Sequence, residues 1–301
     1  MGWRTIHVKE SERMALKLDN LEITKRGMKY YIPLSDINMI VIEGNTSLTT
    51  NILTAFTKNG IVVILCDNKY MPTGMLLNYG EYHHFAKRAL AQANWTKKLK
   101  AEVWHEIVGQ KILNQIQFNI QKGIAQDRID KMIDLYNGLT QGDKTNREGL
   151  IAKMYFAALY GKDFIRGDEG LENLAMNYGY AIIRAAIARI VVGQGLLPVY
   201  GIFHHNEYNA FNLVDDLMEP FRPLMDYWID EKISKDYEYL AYEARLTLID
   251  FLNQPMWYKN QKSSVELVME KYIASFIKAT EKKDVSLLYE VRLSDFVEAR
   301  K

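Results

Sequence analysis

Residues 204–223 read HHNEYNAFNLVDDLMEPFRP and bring together side chains suited to holding a metal ion. Asp216 and Glu219 are three apart, so a helix that includes both carries both carboxylates on one face. Hard oxygen donors in that pattern suit Mg2+ or Mn2+, and a histidine added from His204 or His205 shifts the preference toward Mn2+. Pro220 and Pro223 displace the hydrogen bonds to the carbonyls four residues back, those of Asp216 and Glu219. An irregular helix is expected there. The same letters also fit structural roles. DDLMEP is an acidic turn able to complement a helix dipole, and histidines after an apolar GIF commonly pack or cap. Another acidic residue, Glu148, ends Thr145-Asn146-Arg147-Glu148, where T-x-x-E opens a strongly helical segment. That is a capping-box pattern, with Glu148 reaching back to the backbone of Thr145. Nothing in residues 140–150 alone makes Glu148 catalytic.

These residues need a scaffold, and the chain reads as an α+β protein in two parts. Up to residue 78 short β-type runs dominate: WRTIHVK, MALKL, LEITK, MKYYIPL, INMIVIE and IVVILC. Asp19-Asn20 lies between MALKL and LEITK as a tight hairpin turn. One helix interrupts the strands, LTTNILTAFTKN, with Thr46 or Ser47 available as N-cap and Gly60 just past its end. Beyond NYGEYHH, the expected connector, the β signal disappears. Apolar positions then recur at three- and four-residue spacing to about residue 290. The expectation is a small N-terminal β-rich domain, residues 1–78, followed by a larger all-α catalytic domain, residues 79–301.

Composition narrows the function classes. There are 38 Lys and Arg against 37 Asp and Glu, a net charge of +1, so any nucleic-acid surface must be local. The charge is unevenly spread: eight Lys and Arg against four Asp and Glu from Glu81 to Arg128, nine Asp and Glu against three Lys and Arg from Asp215 to Glu243. Such stretches are phosphate grips, metal sites or simply solvated helix faces. The single Cys66, in the apolar run IVVILCDN, reads as a small buried hydrophobe, and one cysteine excludes an internal disulfide framework and fits a reducing cytoplasm. The start, MGWRTIHVKESER, lacks the apolar segment of a secretory signal. AIIRAAIARIVVGQGLLP carries Arg184 and Arg189 and is too short and too charged to span a bilayer, so a cytoplasmic protein with no membrane segment is expected. A Walker-type phosphate loop, G-x-G-x-x-G, H-E-x-x-H and G-x-S-x-G are all missing, and one cysteine permits no Cys-rich zinc site.

One ordered set of motifs goes further. Glu148 is followed by AKMYFAAL, then by an N-Y-G-Y helix in NLAMNYGYAIIRAAIARIVV, a G-L-x-P turn, a histidine and D-x-x-E-P-F-R in DDLMEPFRP. With a β-rich part ahead of a helical one, this order resembles the CRISPR-associated integrase family ("Cas-one"), in the lineage found with type II systems, over essentially the whole chain. The resemblance implies a metal-dependent DNA endonuclease and integrase. Such an enzyme joins the 3′-hydroxyl ends of short foreign DNA fragments into a CRISPR repeat array by transesterification. It puts the metal, Mg2+ or Mn2+, and catalysis on Glu148, His205 and Glu219, with Asp216 and His204 near the metal. His205 is preferred to His204 because its fourteen-residue gap to Glu219 resembles the family's usual spacing. Glu219 stands where the simplest family pattern has Asp. On this reading Glu148 turns to the metal and leaves Thr145 as an N-cap without its reciprocal partner.

The resemblance also implies contacts with DNA. Arg222, on the face of Glu219, grips a phosphate or else pairs with Asp226, while Asn177 and Arg184 belong to the matching N-Y-G-Y segment. Lys87, Arg88, Lys97 and Lys98 would hold a duplex without reading its sequence, with affinity falling steeply in salt. Implied partners are double-stranded DNA, both captured fragment and CRISPR repeat, and a second copy of the chain joined through the β domains. A small ferredoxin-like adaptation protein completes a heterohexamer, and the type II effector nuclease and a ring-shaped DNA-end-binding protein are further associates. Two other readings compete: a non-catalytic DNA-binding scaffold whose carboxylates only cap helices, and a metal phosphohydrolase of nucleotides. The second suffers from the lack of a glycine loop to cradle phosphate.

Overall fold

A computed structural model describes residues 2, 4–78, 85–143 and 145–301, and the expected connector NYGEYHH lies outside the described residues from position 79 to 84. The chain divides into two compact units, one of residues 1–85 with 188–196 and one of residues 86–187 with 197–301. The architecture is α+β, with a β-rich N-terminal region and a mostly helical C-terminal region.

The N-terminal unit holds strands β1 (Arg4–Lys9), β2 (Arg13–Lys17), β3 (Asn20–Lys25), β4 (Met28–Pro33), β5 (Ile37–Glu43), β6 (Ser47–Leu48), β7 (Val62–Cys66) and β8 (Pro72–Leu76), with helix α1 (Thr50–Lys58). They form two four-stranded sheets, ordered β1-β5-β7-β8 and β4-β3-β2-β6. β1, β5 and β7 run parallel. The sequence of β5, INMIVIE, is buried at all seven positions, as expected of a parallel strand covered on both faces. Met14, Leu21, Ile40, Ile52, Phe56 and Val63 form the core of this unit. Each such side chain, fully buried, stabilises the fold by about 1.5–3 kcal/mol.

Three local details differ from the sequence expectation. The hairpin turn between β2 and β3 is Leu18-Asp19, one residue earlier than Asp19-Asn20, with both residues at positive φ (48° and 58°) as a type I′ turn requires. The N-cap of α1 is Thr49, which accepts from the Ile52 N–H, because Ser47 is already taken by β6. Cys66, at the end of β7, is half-exposed rather than buried.

The helical unit is built from α2 (Phe85–Ala93), α3 (Lys97–Gln121), α4 (Gln126–Asn137), α5 (Arg147–Tyr160), most of α6 (Leu171–Gly193), α7 (Asn212–Met218), α8 (Arg222–Lys232), α9 (Tyr242–Asp250), α10 (Val265–Lys282) and α11 (Leu293–Glu298). It is not entirely helical. Strands β9 (Pro255–Tyr258) and β10 (Gln261–Ser264) form a hairpin about Lys259-Asn260, both at positive φ. α6 is 23 residues, long and apolar enough to cross a membrane by length and composition, and it is mostly buried inside the protein. The segment after Lys282 is tied down: Gln110 and Asn114 of α3 pair with the backbone of Tyr289, Val291 and Leu293, and Phe296 is fully buried. As the two prolines predict, the helix breaks between α7 and α8, where Glu219–Phe221 form a single 3-10 turn.

Candidate active site

The 3-10 turn turns Glu219 into a cavity of about 470 Å3 in the helical unit. Around Glu219 the cavity is lined from α3 by Trp104, Lys111 and Gln115, and from α5 by Glu148, Ala152 and Phe156, which share one face at i, i+4 and i+8. α6 adds Asn177 and Tyr180, α8 adds Arg222 and Asp226, and the intervening loops add Arg166, Phe203 and His204.

Glu148 and Glu219 lie 71 positions apart in sequence, yet they converge on one ammonium. Lys111 Nζ is 2.5 Å from Glu148 Oε1 and 2.5 Å from Glu219 Oε2, and Arg222 Nε donates to Glu219 Oε1 at 2.8 Å. Burial acts to raise the Glu219 carboxyl, but Arg222 and Lys111 outweigh it and hold the group down at about 2. Arg222 therefore pairs with Glu219, not with Asp226. The Arg222 guanidinium also lies 4.5 Å from the Tyr180 ring centroid, with Arg166 at 5.4 Å from the same ring. Asp226 closes the floor. It is buried and accepts from Tyr155 Oη at 3.0 Å and Tyr180 Oη at 2.5 Å. Its carboxyl is pushed up to about 6 by burial, against the pull of the two hydroxyls.

Asp216 has a different task. Fully buried, it accepts from the backbone N–H groups of Ile202 (2.5 Å), Phe203 (3.1 Å) and His204 (3.1 Å), and from His204 Nδ1 at 2.7 Å. One carboxylate thus folds the 202–204 loop around itself and fixes the imidazole. The hydrogen bond to Asp216 raises the His204 pKa. Gly201 permits the approach, since a Cβ there would strike the His204 carbonyl oxygen and the Asp216 carboxylate. Trp104 and Phe203 stack with ring centroids 4.3 Å apart, and His204 meets both edge-on.

Glu148 is presented differently from the capping-box expectation. The N-cap of α5 is Asn146, in the left-handed region at φ 51°, not Thr145. The Asp143 carboxylate accepts from the N–H groups of Arg147 (2.8 Å) and Glu148 (3.0 Å), and Thr145 instead accepts from Arg147 Nε. Asp143 thus takes the capping role expected of the Thr145 hydroxyl, and the Glu148 carboxylate pairs with Lys111 at the cavity instead of reaching back to the Thr145 backbone.

Of the residues expected from sequence, Glu148, His204, Glu219, Arg222 and Asn177 line the cavity, and Asp216 supports it from beneath. His205 does not line it. It is exposed, with Nδ1 2.8 Å from the Phe203 carbonyl. Arg184 is held by Asp215 in a two-point ion pair, at 2.7 and 2.5 Å. Arg88 lies 3.8 Å from Glu281 and Lys98 3.8 Å from Glu102, while Lys87 and Lys97 are exposed. Lys111, Arg166, Tyr180 and Asp226 were missed. Lys111 was visible only as a member of a charged stretch, Asp226 only as a possible partner of Arg222, and Arg166 stands in a loop that offers no periodic signal.

The donor set can be tested against a divalent ion. Among the described residues no three of His, Cys, Asp and Glu already surround one metal position. Two carboxylates nevertheless close on a single cation position, now held by Lys111, and the buried Glu219 Oε2 makes no well-aligned hydrogen bond. His204 has Nδ1 tied to a carboxylate, the usual way a ligating histidine is oriented, which reserves Nε2 for a ligand. In chemistry these donors fit Mg2+ or Mn2+, with Lys111 as the occupant to be moved.

In fold the chain is similar to part of a Cas6-RT-Cas1–Cas2 complex (TM-score 0.77, 17% identity), covering 95% of this chain and 36% of that longer one. It is also similar to a casposase bound to integration product (TM-score 0.74, 18% identity), covering 98% of this chain and 93% of that one. The family model for CRISPR associated protein Cas1 matches residues 6–237. The CRISPR-associated endonuclease Cas1 of Neisseria meningitidis serogroup C (strain 8013) is 36% identical over 285 residues, covering 92% of this chain and 91% of the relative. The chain belongs to the Cas1 family.

Proposed function

We propose that the chain is a metal-dependent DNA endonuclease and integrase of CRISPR adaptation, joining a DNA 3′-hydroxyl to a phosphodiester by in-line displacement. The observation that carries this reading is the convergence of Glu148 and Glu219 on one cation position, beside His204 and under two arginines. Glu148, Glu219 and His204 would hold Mg2+ or Mn2+. When bound, the ion would polarise the phosphoryl oxygen and stabilise charge on the attacking and leaving oxygens.

The protein's own groups do the rest. Asp216 keeps His204 in the tautomer with the proton on Nδ1 and sets the ring's direction. Arg222 and Arg166, steadied over Tyr180, supply planar donors for phosphate oxygens flanking the reacting bond. Phe203, partly exposed and backed by Trp104, offers a face on which a base beside the cut can stack. Water in place of the 3′-hydroxyl gives hydrolysis, so nuclease activity belongs to the same site.

The proposed partners are double-stranded DNA, a second copy of the chain and a small adaptation protein; a Cas1–Cas2 complex and a casposase on integration product among the fold neighbours support DNA and a partner protein. One observation favours the competing scaffold reading, in which the carboxylates only form ion pairs: Lys111 already pairs with both. The readings separate on branched DNA that resembles an integration intermediate. The enzyme reading predicts that the parent resolves the branch with Mn2+ and not with EDTA, and that Glu148→Gln and Glu219→Gln, still folded, do not. Tight binding with no turnover in either metal by the parent would leave only the scaffold.

A further inference from the structure

Lys111 stands where a divalent ion bridging Glu148 and Glu219 would have to stand. Its side chain is only 11% exposed, and its Nζ contacts both carboxylates at 2.5 Å. A lysine ammonium is a cation at neutral pH, and here it is paired with both carboxylates at once. A second cation at the same place would face both Lys111 and Arg222 within a few ångströms, in surroundings where like charges repel strongly. Lys111 and the ion therefore exclude each other.

The cavity also offers Lys111 somewhere to go. Gln115 lies at i+4 on α3, on the same helical face, and lines the same cavity. It is 2% exposed, and its buried Oε1 accepts no hydrogen bond. Buried acceptors are normally satisfied, and a compact ammonium on a flexible four-carbon stem is a donor able to swing to such a neighbour.

We propose that Lys111 is a displaceable counter-ion of the metal site: it holds Glu148 and Glu219 together before the ion arrives, competes with the ion for both, and turns to Gln115 when displaced. The proposal rests on the metal reading above. It makes Lys111 a positioning residue and sets the affinity of the free protein for divalent ions below what two glutamates and a histidine would give unopposed.

The test is calorimetric titration of the full chain with MnCl2 in the absence of DNA, for the parent, Lys111→Met, Lys111→Gln, Gln115→Leu and Glu219→Gln. Thermal melts in EDTA and in Mn2+ accompany it. The proposal predicts that both Lys111 variants bind Mn2+ at least about ten-fold more tightly than the parent, and that Gln115→Leu binds it several-fold more weakly. In EDTA the Lys111 variants melt lower, and Mn2+ restores them by a larger shift than it gives the parent. A variant that folds only with Mn2+ also supports the proposal. Glutamate-dependent binding of equal or lower affinity in both Lys111 variants overturns it and leaves the metal reading standing. No binding that depends on Glu219 in any protein overturns both.

Discussion

Asp226 is the residue whose protonation leaves the clearest mark on stability. Its carboxyl is pushed up to about 6, above the ordinary aspartate value of 3.8, because burial costs the charged form more than the tyrosine hydroxyls return. Between those two values the native state keeps a proton that the unfolded chain gives up, so stability falls as pH rises through this window. The stability of the parent minus that of Asp226→Asn should drop by about 2 kcal/mol between pH 4.5 and 7, measured by denaturant unfolding. A flat or rising difference would show that Asp226 is ionised throughout. At this scale the sequence was legible where chemistry and spacing coincide: the family motif led to Glu148 and Glu219, and both line one cavity. It was not legible at the doubled histidine. Spacing favours His205, whereas the structure places His204 in the cavity, held by the buried Asp216 that gathers three backbone N–H groups, a tertiary arrangement that spacing cannot encode.

Among the elements, α5 shows most plainly how a local signal is outbid by a better one. T-x-x-E predicts that Thr145 caps α5 with Glu148 reaching back to it, but Asp143, brought round by a turn with positive φ at Gly142, Asp143 and Asn146, accepts from the Arg147 and Glu148 N–H groups, and the Glu148 carboxylate pairs with Lys111. Asp143→Ala should cost about 1–2 kcal/mol, seen in the melting temperature. It should also lower Mn2+-dependent cleavage by loosening the first turn of α5, which carries Glu148. Stability lost with cleavage intact would mean that the cap does not orient Glu148. The proline break was the easier inference, since Pro220 and Pro223 each remove a donor whatever surrounds them, and the 3-10 turn at Glu219 follows. The β9–β10 hairpin was hidden because Lys259-Asn260 contains no glycine, although both residues adopt the positive φ of a type I′ turn.

For the whole molecule, near-neutral charge makes DNA capture a matter of local surface. The exposed Lys87, Lys97 and Lys98 are the candidates, because Arg184 is committed to Asp215. Replacing Lys97 and Lys98 together by Ala should weaken duplex binding and make the slope of log affinity against log salt shallower by nearly two, by fluorescence anisotropy. An unchanged slope would move the duplex to another face. The two-part α+β organisation was readable because hydrophobic period switches from two to about 3.6 after the first strands. The C-terminal segment was not, since its order depends on Gln110 and Asn114, nearly 180 residues earlier in the chain.

The most direct test of a catalytic metal site in this cavity compares two neighbouring histidines. Single-turnover strand transfer on branched DNA with Mn2+ would be measured for the parent, His204→Asn and His205→Asn. The account predicts a loss of at least about 100-fold in His204→Asn and a near-parental rate in His205→Asn. The reverse pattern, or parental rates in both, would contradict it.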